Sequence, residues 1–260
     1  MVISFIGNGN VAQVLIEDLL NKNLIIKEIY APNYEKLQKF AGSRSIKPLK
    51  SILDLDVNID LLIIAVKDNA IEKLIVDIPK GSFSIVHTSG TISINIFKRN
   101  GFDKYGVFYP LYSFIKGKST DLRKIPILIE SSDNEFLEQL SILADLISSN
   151  VVEVNSENRK KYHLAGVMIN NFTNHFWAMT QDYLRSEGLD FEYLKPILKQ
   201  TSENAILSEN LFDLQTGPAK RDDQAIIDIH MEMLKINPPF QELYQKMTEL
   251  ILHKHGNSDK

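Results

Sequence analysis

The chain begins with a short apolar run that enters a glycine-rich turn and then a helical pattern. The run is Val2–Ile6, the turn reads GNGNVA, and the helical pattern covers Asn10–Asn21. Gly7 would allow a tight turn, Gly9 would let a bound group approach the backbone, and Ala12 is small enough for close helix–strand packing. This order predicts a dinucleotide-binding turn, with phosphates at the positive end of the helix. The alternative is a turn that is only structural.

Short apolar runs alternate with helical patterns throughout the first half of the chain. The predicted strands are Val2–Ile6, Ile25–Tyr30, Leu61–Val66, Phe83–Thr88, Gly106–Tyr109, Ile125–Ile129 and Val151–Val154. The predicted helices are Asn10–Asn21, Asn33–Phe40, Asn69–Ile78 and Asn134–Ile147, the last with Asp133 as its N-cap. Such alternation is typical of parallel strands joined by right-handed crossovers. We therefore predict an α/β fold with a doubly wound, Rossmann-type parallel sheet.

The second half of the chain has no strand-like runs and reads as helical. The predicted helices are Glu157–Ser186, Phe191–Asn210, Asp222–Ile236 and Phe240–His255. We therefore expect a dinucleotide-binding domain at 1–154 and a helical substrate and dimerisation domain at 155–260. The helical half carries more apolar residues than one thin layer would bury, which predicts a homodimer through residues 157–255.

Composition excludes several classes of protein. The chain has no cysteine, which rules out disulfides, thiolate metal sites and a cysteine nucleophile. A net charge of -4 offers no basic surface for nucleic acid, and no histidine spacing indicates a metal site. The N-terminal apolar run lacks the basic region of a signal peptide, and no run approaches the length of a membrane span. We expect a cytoplasmic protein that binds neither nucleic acid nor membrane.

The end of the second predicted strand bears on which dinucleotide is bound. A site that prefers NAD usually has an acidic residue there, which bonds the ribose hydroxyls. Glu28 lies too early in the strand and is interpreted as a solvated strand residue. The strand instead ends at Ala31 and Pro32, after which Asn33 could bond a ribose hydroxyl or a phosphate, with Lys36 one turn later. The missing acid favours NADP over NAD.

Six segments of the chain, in order, resemble one protein family. They are FIGNGNVAQVL, DLLIIAVKDNAI, IVHTSG, YGVFYPLYSF, HLAGVMINNFTNHF and QTGPAKRDD. Together they resemble bacterial Rossmann-like oxidoreductases with a C-terminal DUF2520 domain, which are similar in layout to pyrroline-5-carboxylate reductase and 6-phosphogluconate-dehydrogenase-like proteins. The resemblance implies an NAD(P)-dependent oxidoreductase that dimerises through its helical domain. The implied cofactor contacts are Gly7, Asn8, Gly9, Asn10, Val11, Ala65, Val66, Lys67, His87, Thr88 and Ser89.

The first helix of the second half carries the candidate catalytic residues. Hydroxyacid dehydrogenases of similar layout place a catalytic lysine three residues before an Asn-Asn pair, and here that position is Val167. With Val167, the residues His163, Asn170 and Asn174 follow i, i+4, i+7, i+11 spacing and would share one helical face. This face predicts His163 as proton donor beside the nicotinamide. Alternatively, these groups hydrogen-bond across a contact between helices or protomers.

Three further residues are candidate ligand contacts. Tyr109 is the last residue of the predicted strand Gly106–Tyr109 and is interpreted as part of the cleft wall. Arg221 could hold a substrate carboxylate through two parallel hydrogen bonds, or pair with Asp222 or Asp223 at the surface. His87 either contacts a ligand at its strand end or caps the turn.

Two functions are consistent with these features. The first is an oxidoreductase that transfers a hydride between a nicotinamide cofactor and a small polar carbonyl, imine, hydroxy or amino substrate. The second is a dinucleotide-binding sensor or scaffold without turnover, which the missing lysine and the missing ribose acid favour. The intact glycine turn and the polar face of the helix favour the oxidoreductase, which we expect.

Overall fold

The computed structural model describes residues 1–118 and 120–256. The chain forms two compact units, the first covering Met1–Phe172 and the second beginning at Thr173. The domain boundary expected at 154/155 lies before this division. The first unit therefore includes the start of the segment that the sequence assigns to the helical domain.

One eight-stranded sheet forms the centre of the first unit, with strand order β3-β2-β1-β4-β5-β6-β7-β8. The strands are β1 (Val2–Ile6), β2 (Ile25–Tyr30), β3 (Lys47–Leu49), β4 (Leu61–Ile64), β5 (Ser84–His87), β6 (Tyr105–Pro110), β7 (Ile127–Ser131) and β8 (Val151–Glu153). Neighbouring strands are parallel except for β6 and β7, which are antiparallel. The predicted doubly wound α/β fold is confirmed. The short edge strand β3 and the reversal at β7 were not predicted.

Six α-helices belong to the described part of the first unit. They are α1 (Asn10–Asn21), α2 (Tyr34–Gly42), α3 (Asp68–Leu74), α4 (Asn95–Arg99), α5 (Asn134–Ile147) and α6 (Ser156–Gly166). Polar side chains at the N-cap fix where several of them begin. Asp133 accepts a hydrogen bond from the Phe136 amide at 2.9 Å, as predicted, and Asn155 does the same for α6.

Two apolar clusters cover the sheet. Phe5, Leu15 and Leu140 belong to the first, which includes residues of α1 and α5. Ile64 and Ile71 belong to the second, which includes residues of α3 and α4. Every residue of β4 and β5 is buried, as expected for parallel strands covered on both faces. Because β1, β4, β5 and β6 are parallel, their carboxyl ends meet at one edge of the sheet, where doubly wound proteins bind ligands.

Glu28 is fully buried in β2, so its interpretation as a solvated residue is wrong. Its carboxylate accepts hydrogen bonds from Lys47 Nζ at 3.3 Å and from the Asp56 amide at 2.5 Å. A buried carboxylate needs such partners to offset the loss of water. Glu28 therefore joins β2 to β3 and to the loop before β4.

The second unit is helical, as predicted. Its helices are α7 (Thr173–Ser186), α8 (Lys195–Leu207), α9 (Gln224–Met233) and α10 (Pro238–His255). Phe240 is buried against Phe176 and Tyr183, but few other large side chains of this unit are buried. Ile206 and Leu207 are 81% and 83% exposed. Across 1–118 and 120–256, no helix has both the length and the apolar character to cross a membrane.

Candidate active site

The turn between β1 and α1 leaves the beginning of α1 open. Gly7 has φ +115°, and a Cβ there would clash with the carbonyl oxygen of Ala65, so this position requires glycine. At Gly9, φ is -81° and a Cβ would meet nothing within 4 Å. No side chain caps α1, so the N–H groups of its first turn are available to a bound anion. This geometry fits the pyrophosphate of a dinucleotide.

Side chains of the turn hold it in place and connect it to a distant loop. Gln13 Nε2 donates to Asn8 Oδ1 at 3.0 Å. Asn10 Nδ2 donates to the carbonyl oxygen of Phe114 at 2.9 Å, which attaches the segment 111–118 after β6 to the glycine turn. Because both amides are engaged, phosphate contacts here would come from backbone N–H groups, including that of Val11.

The other predicted cofactor contacts lie at neighbouring strand ends. Ala65, Val66 and Lys67 follow β4, and Thr88 follows β5; the Thr88 amide donates to Ile64 O at 3.0 Å. Lys67 is exposed at the beginning of α3. The structure thus brings these residues to the edge that carries the glycine turn. They remain predicted contacts.

Asn33 has a structural role at the end of β2. Its Oδ1 accepts a hydrogen bond from the Lys36 amide at 3.0 Å and so caps α2. Its Nδ2 is the part of the side chain that this cap does not use. A contact to the ribose or to a phosphate remains a prediction.

His87 is fully buried at the end of β5 and caps the turn that follows. Its Nδ1 accepts a hydrogen bond from the Ser89 amide at 3.2 Å, and its ring stacks on Phe97 with centroids 5.4 Å apart. Burial, followed by the charge of Arg159, lowers the pKa of His87 to about 3. The ring is therefore neutral and caps the turn, and a contact between His87 and the cofactor remains a prediction.

Tyr109 and His163 form a hydrogen-bonded pair beyond the carboxyl end of β5. The Tyr109 hydroxyl lies 3.1 Å from His163 Nδ1, and both side chains are half-buried. Burial raises the pKa of Tyr109, and the charge of Asp68 raises it further. The hydroxyl therefore stays protonated at neutral pH and can donate to the ring nitrogen or accept from it.

Gly90 makes room for the His163 ring. A Cβ at this position would lie 2.5 Å from His163 Nδ1. The turn after β5 therefore packs directly against the ring. The sequence motif HTSG contains this glycine, but the motif alone does not reveal its contact.

Arg159 is a fully buried residue that sequence reasoning missed. Its Nε donates to the carbonyl oxygen of Ser89 at 3.2 Å, its Nη1 pairs with Glu130, and its Nη2 donates to Ile92 O and Ser156 Oγ. Arg159 precedes His163 by one helical turn. It therefore fixes α6 to the turn after β5. The i, i+4 spacing of Arg159 and His163 was the one sequence feature that indicated that Arg159 lies beside the candidate histidine.

A cavity of about 460 Å³ opens beside the Tyr109–His163 pair, within the usual size range of small-molecule sites. Its lining residues are Tyr109, Leu111, Tyr112, Ser113, Ile115, Tyr162, His163, Ala165, Gly166, Val167, Ile169, Asn170 and Asn171. The structure therefore brings Tyr109, His163 and Asn170 together around one space. Asn174 and Arg221 belong to the second unit.

The helix that carries His163 is not a regular α-helix. Residues Val167–Phe172 form a π-helical segment between α6 and α7. A π-helical turn accommodates an extra residue and rotates the residues after it relative to those before. The even α-helical spacing expected from His163 to Asn174 is therefore wrong, although Val167 and Asn170 still line the cavity with His163.

Arg221 is exposed in the turn before α9. The aspartates beside it have roles in that turn. Asp222 has a positive φ of 52°, and Asp223 caps α9 by accepting a hydrogen bond from the Ile226 amide at 3.4 Å. Arg221 as a substrate contact remains a prediction.

Two family models match separate parts of the chain. Residues 2–88 match the NADP oxidoreductase, coenzyme F420-dependent, family, and residues 125–251 match the domain of unknown function DUF2520. This is the domain order that the sequence segments predicted. No curated protein sequence matches the chain.

The crystal structure of a candidate NADP oxidoreductase from Bacteroides fragilis is similar over nearly the whole chain. Its sequence is 32% identical, the match covers 96% of this chain and 97% of that one, and the TM-score is 0.88. The chain belongs to this NADP oxidoreductase family. The prediction of NADP as the cofactor is confirmed by this membership.

More distant structures share the fold. A pyrroline-5-carboxylate reductase from Streptococcus pyogenes is 14% identical over 96% of this chain and 98% of that one, with a TM-score of 0.64. An imine reductase from Myxococcus stipitatus, solved in complex with NADP+, is 11% identical over 97% and 93%, with a TM-score of 0.67. The predicted similarity in layout between this oxidoreductase family and pyrroline-5-carboxylate reductase is confirmed.

Proposed function

We propose that this member of the NADP oxidoreductase family reduces a small carbonyl or imine compound with NADPH. The observation that carries the proposal is the hydrogen-bonded Tyr109–His163 pair in the lining of the 460 Å³ cavity. Family membership supports the cofactor, and the open first turn of α1 supports pyrophosphate binding. The reverse direction, oxidation of a hydroxy or amino compound, uses the same groups.

Bound NADPH supplies the hydride, so the chain has to supply orientation and one proton. Tyr109 engages His163 Nδ1, which leaves Nε2 as the ring nitrogen available to a substrate. A protonated His163 ring donates from Nδ1 to the Tyr109 hydroxyl and from Nε2 to the substrate oxygen or nitrogen. After the proton has moved, the hydroxyl donates to Nδ1 instead. Tyr109 can partner both states because its raised pKa keeps it protonated.

Asn170 adds a neutral polar group to the same cavity. Its amide could accept from or donate to the substrate and so orient it without adding charge. Asn174 and Arg221 belong to the second unit, and their roles stay predictions that the proposed reaction does not use.

The test is a comparison of two histidine variants. NADPH oxidation would be followed by absorbance with a panel of aldehydes, ketones and preformed imines, and NADPH affinity by fluorescence titration. His163→Ala should reduce turnover by about 10²- to 10⁴-fold, the usual contribution of a general acid, with NADPH affinity nearly unchanged. His253→Ala, which alters an exposed histidine of α10, should leave both unchanged.

Two results would contradict the proposal. Full turnover in His163→Ala would remove the histidine from the reaction. NADPH binding by the wild type without oxidation by any panel member would favour a dinucleotide-binding sensor or scaffold.

A further inference from the structure

The walls of the cavity beside Tyr109 and His163 are largely hydrocarbon. Aliphatic side chains come from the segment after β6 and from the π-helical segment, and Tyr112 and Tyr162 add aromatic rings. Ile115 and Ile169 are 55% and 76% exposed. A ligand with an apolar carbon skeleton would remove this surface from water, which is favourable in proportion to the apolar area covered.

The described residues that line this cavity include no lysine, arginine, aspartate or glutamate. The polar groups that they present are hydroxyls, amides and one imidazole. A carboxylate that leaves water needs a cation or several hydrogen-bond donors to offset its desolvation. Hydroxyls and amides carry no net charge, and the one lining group that becomes a cation, the protonated His163 ring, is engaged by Tyr109 and by the reacting heteroatom.

Arg159, a buried cation one helical turn before His163, already has partners for its side chain. Each of its three side-chain nitrogens donates to a protein acceptor, and its charge is paired with Glu130. The side chain has no exposed surface. Arg159 therefore cannot reach a substrate carboxylate without breaking a buried ion pair.

The basic residues of the segment after β6 belong to another space. Lys116 and Lys118 line a second cavity of about 360 Å³ along α1, together with Gln13 and Arg44. Ile115 lines both cavities. The same segment therefore presents its lysines toward α1 and its apolar side chains toward the Tyr109–His163 pair.

We propose that the cavity binds an uncharged carbonyl or imine compound with an apolar carbon skeleton and discriminates against carboxylates. The inference rests on the proposed function for the identity of the reacting group. The Tyr109 hydroxyl agrees with it, because burial and then the charge of Asp68 raise its pKa, which disfavours a negative charge at this position.

Three matched ligands test the inference: cyclohexanone, its 4-carboxylate, and the methyl ester of that carboxylate. The ester controls for size, because it is larger than the acid but uncharged. Affinities would be measured by ligand-observed saturation-transfer NMR on the full chain with NADP+ present. Cyclohexanone and the ester should bind, and the carboxylate should bind about ten-fold more weakly or worse.

A variant that adds a cation to the lining sharpens the test. Ile115→Arg should raise the affinity for the carboxylate about ten-fold, because it supplies a partner that can hold both oxygens. Leu53→Arg makes the same change in net charge at a residue that is 68% exposed and outside the lining, and should leave all three affinities unchanged.

Each outcome separates the inference from the proposed function. Wild-type binding of the carboxylate as tight as that of the ester would overturn the inference, and so would failure of both neutral ligands to bind. NADPH oxidation that depends on His163 but requires a carboxylate substrate would overturn the inference and keep the proposed function. Neutral binding without NADPH oxidation by any panel member would keep the ligand class and refute the reaction.

Discussion

The two glycines of the β1–α1 turn should respond differently to substitution. Gly9→Val should fold, because a Cβ at this position meets nothing within 4 Å and φ is -81°. Valine is a poorer N-cap than glycine, so the expected loss of stability is about 1 kcal/mol. The branched side chain would fill the space in front of α1 that the pyrophosphate needs. Loss of two charge-assisted hydrogen bonds at about 1.5–3 kcal/mol each would weaken NADPH binding by about 10²- to 10⁴-fold.

Gly7→Ala is the matched contrast. Gly7→Ala should lower the stability of the fold itself, because Gly7 has a φ of +115° and a Cβ there would clash with the Ala65 carbonyl. Backbone strain alone would cost about 1–3 kcal/mol. Thermal unfolding by circular dichroism would report stability, and fluorescence titration would report NADPH affinity. A folded Gly9→Val protein that binds NADPH like the wild type would refute the assignment of the turn.

Three further predictions concern the His163 ring, pH and assembly. Gly90→Ala should displace the ring, because its Cβ would lie 2.5 Å from Nδ1; ring-nitrogen NMR shifts identical to the wild type would contradict this packing. Acid should destabilise the fold through His87, whose pKa of about 3 lies below the unfolded value of about 6.5, so the unfolded state binds an extra proton between these values. The free energy of unfolding, measured by urea unfolding at each pH, should fall by about 2 kcal/mol between pH 6.5 and pH 5. His87→Asn should lack this part of the pH dependence; an equal pH dependence in both proteins would argue against the role of His87. The exposed Ile206 and Leu207 support a homodimer through the helical half, which light scattering at micromolar concentration would reveal, and Ile206→Glu should weaken it; a wild-type monomer would count against this assembly.

Much of the fold could be predicted because buried parallel strands carry an unmistakable pattern. β4 and β5 are buried on both faces, and neighbouring parallel strands need a crossover connection, usually a helix, to return the chain. The edge strand Lys47–Leu49 escaped prediction because it has only three residues and includes a proline. The reversal at β7 leaves no local signal, since strand direction depends on the connection and not on the residues of the strand.

The candidate site was harder to predict because its key contacts join distant residues. The pairing of Tyr109 with His163 spans 54 positions, and that of Arg159 with Glu130 spans 29. A buried charge looks the same in sequence as a solvated one, which is why Arg159 was missed and Glu28 was misread. The π-helical segment was missed because α-helical periodicity was assumed throughout the helix.

The antiparallel pairing of β6 and β7 determines which residues of the cavity wall can change. Because β7 runs opposite to β6, the chain leaves and re-enters the sheet at the same edge, and the connection stays beside the glycine turn. A crossover would have carried it to the far edge. Changes at the cavity-lining positions 111–113 and 115 would reshape one wall of the cavity, whereas Leu122 and Ile125, later in the same connection, belong to the core. Selection for a new substrate can therefore act on those few lining positions, while the core residues of the connection keep it in place.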